Sequence, residues 1–264
     1  MKKIFSKTFF PVLFLIVFSK ITFSQDHSVD ESIKKGISQA YISYISYDKN
    51  LLMEAKETFE KALSQDNSNT FALYHITYCE YKLLEMSLRK ENEGLFDKYY
   101  DAAVANAEKL SETKGIGSEG KTLLAGIYMM KIANSPMSAV TLSFKIHSLL
   151  NEAEEINKIN PRTYLIRGTM KFQTPAMFGG SFEDAVKSFT RAVSLFEKQD
   201  SINALEPNWG YLEVLAWLGK AHEKLENYDA AKFAYQKALA VEPNFGWVKS
   251  SLLPKLEEKM KGKN

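Results

Sequence analysis

Apolar side chains recur along most of the chain at spacings of three and four residues, which is the period of an α-helix. One triplet, a small residue, then an aromatic one, then a small one, occurs three times: Ala55-Phe59-Ala62, Ala185-Phe189-Ala192 and Ala231-Tyr235-Ala238. Small residues let a second helix approach closely, and the ring fills the space between the two axes. No segment alternates apolar and polar residues over the length of a strand. The pattern predicts about ten or eleven helices packed in pairs.

The most regular copy lies near the C-terminus. Eight of its residues follow the spacing W-x2-L-G-x2-Y…A-x3-F…P, with leucine in place of tryptophan and histidine in place of tyrosine: Leu215, Leu218, Gly219, His222, Ala231, Tyr235, Ala238 and Pro243. Residues 212–245 therefore resemble the tetratricopeptide repeat (TPR), a pair of antiparallel helices. We expect Gly219 to lie where the two helices come closest.

Weaker copies of the same pattern precede this one. They predict repeats at about 36–69, 70–112, 119–160, 161–198 and 212–245, followed by a capping helix at 246–260 that covers the last apolar face. The predicted fold class is an all-α, right-handed solenoid of about five TPR-like helix pairs with a C-terminal capping helix. The insert at 174–181 also resembles helical repeat proteins of bacterial envelopes, among them the periplasmic T-components of TRAP-type transporters.

The first 24 residues differ from the rest of the chain. Lys2, Lys3 and Lys7 precede an apolar run at 9–18, and small residues precede Gln25 at the positions that a signal peptidase reads. The run is shorter than the roughly 20 apolar residues of a membrane span. We expect a signal peptide at 1–24 and a single helical repeat domain at 25–264. No cysteine near the cleavage point offers a lipid anchor, so we expect a soluble protein of the periplasm, or a secreted one, with no membrane span after signal removal.

Charge and cysteine content narrow the range of functions. Removing residues 1–24 changes the formal charge from +2 to −2, which gives no reason to expect a nucleic-acid partner. The single cysteine, Cys79, is expected in the core. His75 lies one helical turn away from it, but two ligands are too few for a zinc site. No H-E-x-x-H or G-x-S-x-G motif occurs, so we expect no metal, no cofactor and no catalytic residues, with an enzyme as the least favoured class.

Residues 115–122, GIGSEGKT, match the phosphate-loop pattern G-x-x-x-x-G-K-[ST]. A phosphate loop follows a buried β-strand, whereas residues 105–114 are polar and helix-forming. We therefore interpret Gly115 to Thr122 as a chance match without nucleotide binding. Gly115 or Gly117 is expected to end one helix in the left-handed conformation, and Ser118 to cap the next. By similar reasoning Gly179 and Gly180 form a turn before a helix that Ser181 caps.

An aromatic stripe marks the candidate functional surface. Phe71, Tyr74, Tyr78 and Tyr81 share one face of the first helix of the second pair. In the TPR register these positions line the concave groove, and the equivalent positions of other pairs complete the set: Tyr44, Tyr47, Phe172, Glu213, Lys220 and Glu223. Packing between repeats is the open alternative, because a register error of one residue rotates the stripe by about 100°.

The resemblance implies that this groove holds an extended peptide or a segment of a partner protein. We therefore predict a non-catalytic, exported scaffold with a protein or peptide partner in the cell envelope. The alternative is a small-ligand-binding partner of an envelope transporter, which the insert at 174–181 suggests.

Overall fold

The computed structural model describes residues 13–199 and 203–262, with side chains of the first helix described from Ser28 onward. These residues form eleven α-helices and no strand: α1 Leu13–Ser46, α2 Lys49–Gln65, α3 Thr70–Met86, α4 Leu95–Ser111, α5 Gly117–Asn134, α6 Ala139–Ile156, α7 Pro161–Gln173, α8 Phe182–Phe196, α9 Tyr211–Lys224, α10 Tyr228–Val241 and α11 Leu253–Lys261.

The helices pack as five consecutive pairs, from α1 with α2 to α9 with α10. The odd-numbered helices also contact one another in order, so they form the inner, concave layer and the even-numbered helices form the outer layer. A π-helical turn at Val248–Leu252 leads into α11, which packs against α10. The predicted fold class, an all-α solenoid of five helix pairs with a C-terminal capping helix, is confirmed.

The seam within each pair explains why the helices pair in this way. All nine residues of the small-aromatic-small triplets are 0% exposed. A Cβ atom at Gly219 would lie 2.2 Å from Cε1 of Tyr235, and one at Gly168 would lie 2.5 Å from Cδ1 of Phe189. Only glycine lets the ring of the second helix reach the backbone of the first, so the expected close approach at Gly219 is confirmed.

The glycine-rich segment at 115–122 joins two helices. It follows α4 rather than a strand, and Gly115 has the expected left-handed conformation, with φ +88°. The prediction that Ser118 caps the next helix is wrong. Ser118 lies inside α5, where its hydroxyl donates to the carbonyl oxygen of Ala153 at 2.8 Å, because α6 packs against the start of α5.

Side chains that a phosphate loop would use for a nucleotide serve packing instead. The Lys121 ammonium lies 2.8 Å from Oε2 of Glu152, and the Thr122 hydroxyl bonds to the Thr163 hydroxyl at 2.8 Å. The predicted cap at Ser181 is confirmed, since its hydroxyl accepts the backbone N–H of Asp184 at 3.1 Å.

The predicted signal peptide falls largely outside this description. Residues 1–12 are not among the described residues, and 13–24 contribute only backbone to α1. None of the helices that the model describes is long and apolar enough to cross a membrane.

Candidate functional site

A cavity of about 610 Å³ opens on the concave side, between α1, α3, α7, α9 and the turn that precedes α11. Its size lies within the range of small-molecule sites, roughly 300–1,000 Å³. Seven aromatic side chains contribute to its walls: Tyr44, Tyr47, Tyr78, Tyr81, Trp217, Phe245 and Trp247. We call this space the open cavity.

Several of these rings support one another. The ring centres of Trp217 and Trp247 are 5.5 Å apart, and the planes are steeply inclined at 74°. Phe245 lies 6.3 Å from Trp247 and 5.4 Å from Tyr44, so the contacts link α9, the turn before α11 and α1. Ring pairs at these distances and angles attract one another beyond the area they bury. The aromatic wall is therefore held in place before any ligand arrives.

A buried charge cluster borders the same space. The Lys82 ammonium lies 3.2 Å from Oε2 of Glu213 and also contacts the carboxylate of Glu85. Lys82 is 5% exposed and Glu213 is 4% exposed. Burial raises the pKa of Glu213, and the positive charge of Lys82 opposes this effect. Burial also disfavours the charge on Lys82, yet the two carboxylates raise its pKa well above the ordinary value, so the lysine stays charged.

One polar group on the cavity wall is unsatisfied. The Tyr44 hydroxyl is buried and has no hydrogen-bond partner among the described residues, whereas the Trp217 indole N–H interacts with the Glu213 carboxylate and acts to lower the pKa of that group. Buried polar groups in folded proteins are nearly always bonded, so such exceptions need an explanation. Burial raises the pKa of the Tyr44 hydroxyl well above its usual value, which keeps the proton on the oxygen. The open cavity thus offers the Tyr44 hydroxyl to a ligand as an unused donor.

The rest of the concave face is covered by the chain itself. The segment 203–210, between α8 and α9, lies against α3 and α7. The Trp209 indole N–H donates to the Tyr74 hydroxyl oxygen at 2.8 Å, and the Trp209 ring stacks on Tyr78 at 5.0 Å. His75 Nε2 donates to the carbonyl oxygen of Leu205 at 2.9 Å.

Arg162 completes this arrangement from α7. Its Nε lies 3.1 Å from both carboxylate oxygens of Glu119, and its terminal nitrogens donate to the carbonyl oxygens of Pro207 and Trp209. The Tyr74 hydroxyl donates to the same Glu119 carboxylate at 3.1 Å. We call these side chains together with the segment 203–210 the covered region. Its polar side chains bond to one another and to the backbone of the segment.

Five of the ten predicted groove residues line the open cavity: Tyr44, Tyr47, Tyr78, Tyr81 and Glu213. Tyr74 does not. It is 0% exposed, and the segment 203–210 lies over it. Phe71 borders a separate pocket of about 730 Å³ next to the covered region.

The remaining predicted residues lie next to the cavity or beyond it. Phe172 packs against Trp217 with ring centres 5.2 Å apart, and the Lys220 ammonium lies 3.9 Å from the centre of the same ring. Glu223 is engaged elsewhere, since it accepts from the hydroxyl of Tyr235 at 2.6 Å and from the ammonium of Lys259 at 2.7 Å.

The sequence reasoning missed Trp217, Trp247 and Lys82. Trp217 lies one helical turn beyond Glu213, which the register had already placed in the groove. The three tryptophans of the chain, the third being Trp209, all lie at the concave face. Their clustering on the last third of the sequence was the signal available for finding them.

The described residues contain no group of three histidine, cysteine, aspartate or glutamate side chains placed to hold a metal ion. His75 is bonded to Leu205, and Cys79 is fully buried, which raises the pKa of its thiol. Neither side chain is available as a ligand.

Comparison with known proteins places the fold. The tetratricopeptide repeat model matches residues 213–245. No curated protein matches the sequence at a significant level. Among solved structures, the HusA haemophore from Porphyromonas gingivalis superposes with a TM-score of 0.63 at 20% identity, over 74% of this chain and 93% of that one.

Two further structures are similar over most of this chain. A thermophilic TPR protein of Thermus thermophilus has a TM-score of 0.58 at 18% identity, covering 89% of this chain and 97% of its own. The Cut9-Hcn1 hetero-tetramer of the APC/C has a TM-score of 0.56 at 17% identity, covering 92% of this chain and 40% of its own. The protein therefore contains a tetratricopeptide repeat and has the helical scaffold fold of TPR proteins.

Proposed function

We propose that this protein is a non-catalytic, exported TPR-type scaffold that binds a small, flat and mostly apolar ligand in the open cavity. The observation that carries the proposal is a cavity of about 610 Å³ with seven aromatic side chains in its walls and one buried hydroxyl, that of Tyr44, without a hydrogen-bond partner among the described residues. The segment 203–210 covers the middle of the groove. This obstacle favours a compact ligand over a peptide that runs the length of the solenoid.

The chemistry of the wall indicates what kind of ligand fits. Aromatic faces stack on flat conjugated rings, and a few placed donors then fix the orientation. The HusA haemophore, a haem carrier by its name, shares the fold. A similarity at this level of identity shows the fold only, and the proposal therefore depends on the properties of the cavity. The similarity does make a tetrapyrrole the first ligand class to test.

Export is a further part of the proposal. It is supported by the lysines, the apolar run and the small residues within 1–24, which follow the layout of a signal peptide. The absence of catalysis is supported by the chemistry of the cavity, where the ionisable groups around Lys82 are engaged with one another in ion pairs.

The test is a titration with protoporphyrin IX, followed by quenching of tryptophan fluorescence in protein purified after expression of the full chain. We expect saturable binding at one site, because Trp217 and Trp247 line the cavity. Trp247→Ala should weaken binding about tenfold or more, since buried aromatic anchors contribute about 2 kcal/mol or more to recognition. Phe233→Ala is the matched control, because that ring is 67% exposed on α10. Equal affinity of the two variants, or no saturable binding in the wild type, would contradict the proposal.

A protein or peptide partner is the second candidate function. One observation favours it: the concave face already binds a non-helical segment of the chain, through carbonyl contacts from Arg162 and His75 and through the Trp209 side chain. Crosslinking in the native cell envelope, with wild type and Tyr81→Ala compared, tests this candidate. A defined partner that is lost in the variant would support it, and unchanged crosslinks would count against it.

A further inference from the structure

Lys220 lies at the boundary of the open cavity. It follows Trp217 by three residues on α9, and its ammonium nitrogen is 3.9 Å from the centre of the Trp217 ring. The same nitrogen is 5.3 Å from the ring centre of Trp247 and 5.5 Å from that of Phe172. Trp217 and Trp247 are both walls of the cavity, so the charge is held on the faces of two rings that a ligand would touch.

Lys220 differs from the other lysine of the cavity in its partners. The Lys82 ammonium contacts two carboxylates, whereas Lys220 is partly buried and makes no ion pair or hydrogen bond with a described residue. Glu223, one turn further along α9, is occupied by Tyr235 and Lys259. An ammonium group has three N–H donors, and none of those on Lys220 bonds to a residue that the structure describes.

The surroundings of Lys220 strengthen an interaction with an anion. Burial lowers its pKa, and the charge of Glu223 opposes the shift, so the ammonium is partly stripped of water. A charge-assisted hydrogen bond formed in such a place is stronger than one in bulk water. The cavity carboxylates, Glu85 and Glu213, share Lys82 between them. Lys220 therefore remains the cation of this region that has no carboxylate partner.

We propose that Lys220 is the anion-binding end of the cavity and that the natural ligand carries a carboxylate on its flat apolar body. This inference rests on the proposed function, because it assumes that a ligand occupies the open cavity. The ring system would lie against Trp217 and Trp247, and the carboxylate would accept hydrogen bonds from the Lys220 ammonium.

The experiment compares two probes that share one ring system and differ at the two carboxylates. Mesoporphyrin IX carries two carboxylates, and its dimethyl ester has the same ring without them. In the wild type we expect the free acid to bind about tenfold more tightly than the ester, which corresponds to one good charge-assisted contact. In Lys220→Met this preference should fall to about one, while the dissociation constant for the ester stays unchanged. Unchanged ester binding also shows that the variant is folded.

Three further variants make the assignment specific. Lys220→Arg should restore the preference because it restores the charge. Lys224→Met, at an exposed position four residues along α9, changes the net charge equally and should leave the preference intact. Arg89→Met removes a cation of the cavity wall that lies 3.8 Å from the centre of the Tyr47 ring but pairs with Glu91, and this variant should also keep the preference. Loss of the preference in Arg89→Met and not in Lys220→Met would overturn the assignment.

The outcomes separate the two proposals. If neither porphyrin binds the wild type, the proposed function fails. If both bind the wild type equally, or if Lys220→Met keeps the preference, the function stands and the role of Lys220 is overturned. Competition with palmitate and with methyl palmitate distinguishes the sources of the carboxylate. Displacement by palmitate that depends on Lys220 indicates a fatty acid and would overturn the flat ligand body, and failure of palmitate to displace the porphyrin supports a tetrapyrrole acid.

Discussion

The covered region and the open cavity occupy the same concave face, and α3 contributes to both. They differ in whether their polar groups are hydrogen-bonded. In the covered region Tyr74, Glu119 and Arg162 are bonded to one another and to the segment 203–210. In the open cavity the Tyr44 hydroxyl, and at its boundary the Lys220 ammonium, have no hydrogen-bond partner among the described residues.

This difference distinguishes side chains that stabilise the fold from side chains that are available to a ligand. A buried network in which every polar group is hydrogen-bonded stabilises one conformation, because breaking any of these bonds leaves a charge or a donor without a partner. Unsatisfied groups stabilise nothing in the free protein, and they gain a partner only when a ligand supplies one. The contrast predicts that substitutions in the covered region change the free energy of unfolding, while those in the open cavity change affinity.

The largest effect on stability is expected for Arg162→Met. The substitution leaves the Glu119 carboxylate without its cation and frees the carbonyl oxygens of Pro207 and Trp209. Removing one partner of a buried ion pair costs about 3–5 kcal/mol. Urea denaturation measures the loss. Arg191→Met is the control, because Arg191 is exposed and should shift the unfolding free energy by no more than about 0.5 kcal/mol. Equal changes in unfolding free energy for the two variants would contradict the structural role of the covered region.

The second-largest effect is expected from acid, which should lower the contribution of the covered region to the free energy of unfolding. Burial, with a smaller contribution from the charge of Arg162, lowers the pKa of His75 from 6.5 to about 4, and the bond to Leu205 opposes the shift. Because the pKa is lower in the folded state, the stabilisation is complete above about pH 6.5 and is lost as the pH falls towards 4. The pKa difference corresponds to about 3 kcal/mol. His75→Gln should flatten this part of the profile of unfolding free energy against pH, and His147→Gln, at an exposed position where burial also lowers the pKa, should flatten it much less.

Tyr74→Phe probes a single hydroxyl of the same network. The hydroxyl accepts from the Trp209 indole and donates to Glu119, so its removal strands a buried N–H. We expect a loss of about 1–2 kcal/mol in the free energy of unfolding. Urea denaturation would detect this loss. A change near zero would contradict the prediction and would mean that water takes the place of the missing hydroxyl.

Much of the fold could be predicted from local sequence pattern. A glycine on one helix of a pair faces an aromatic ring on the other, as Gly219 faces Tyr235, and this arrangement recurs. Because the two residues lie within about 20 positions of each other, local sequence is enough to predict the helix pair. The contacts that set the pairing are short-range and repeat along the chain, so periodicity was enough. Ser118 was misjudged because its partner, Ala153, belongs to a different helix.

The site was predictable only in part, and the reason is distance along the chain. The stripe on α3 does face the concave side, but pattern could not separate Tyr74, which is covered, from Tyr81, which lines the cavity. That distinction depends on Trp209, which is 135 positions from Tyr74 and lies in a segment without helical periodicity. The unpaired state of Lys220 likewise follows from tertiary packing.

The smallest effect on stability is expected for Tyr44→Phe, the matched counterpart of Tyr74→Phe in the open cavity. The lost hydroxyl has no partner, so the free energy of unfolding should stay constant or rise by up to about 1 kcal/mol. Porphyrin binding should weaken in the same variant, because the ligand would be the partner of that hydroxyl. Urea denaturation and fluorescence titration on one preparation measure both quantities. If Tyr44→Phe destabilised the protein as much as Tyr74→Phe, the hydroxyl would be part of a structural network, and the distinction between the two regions would fail.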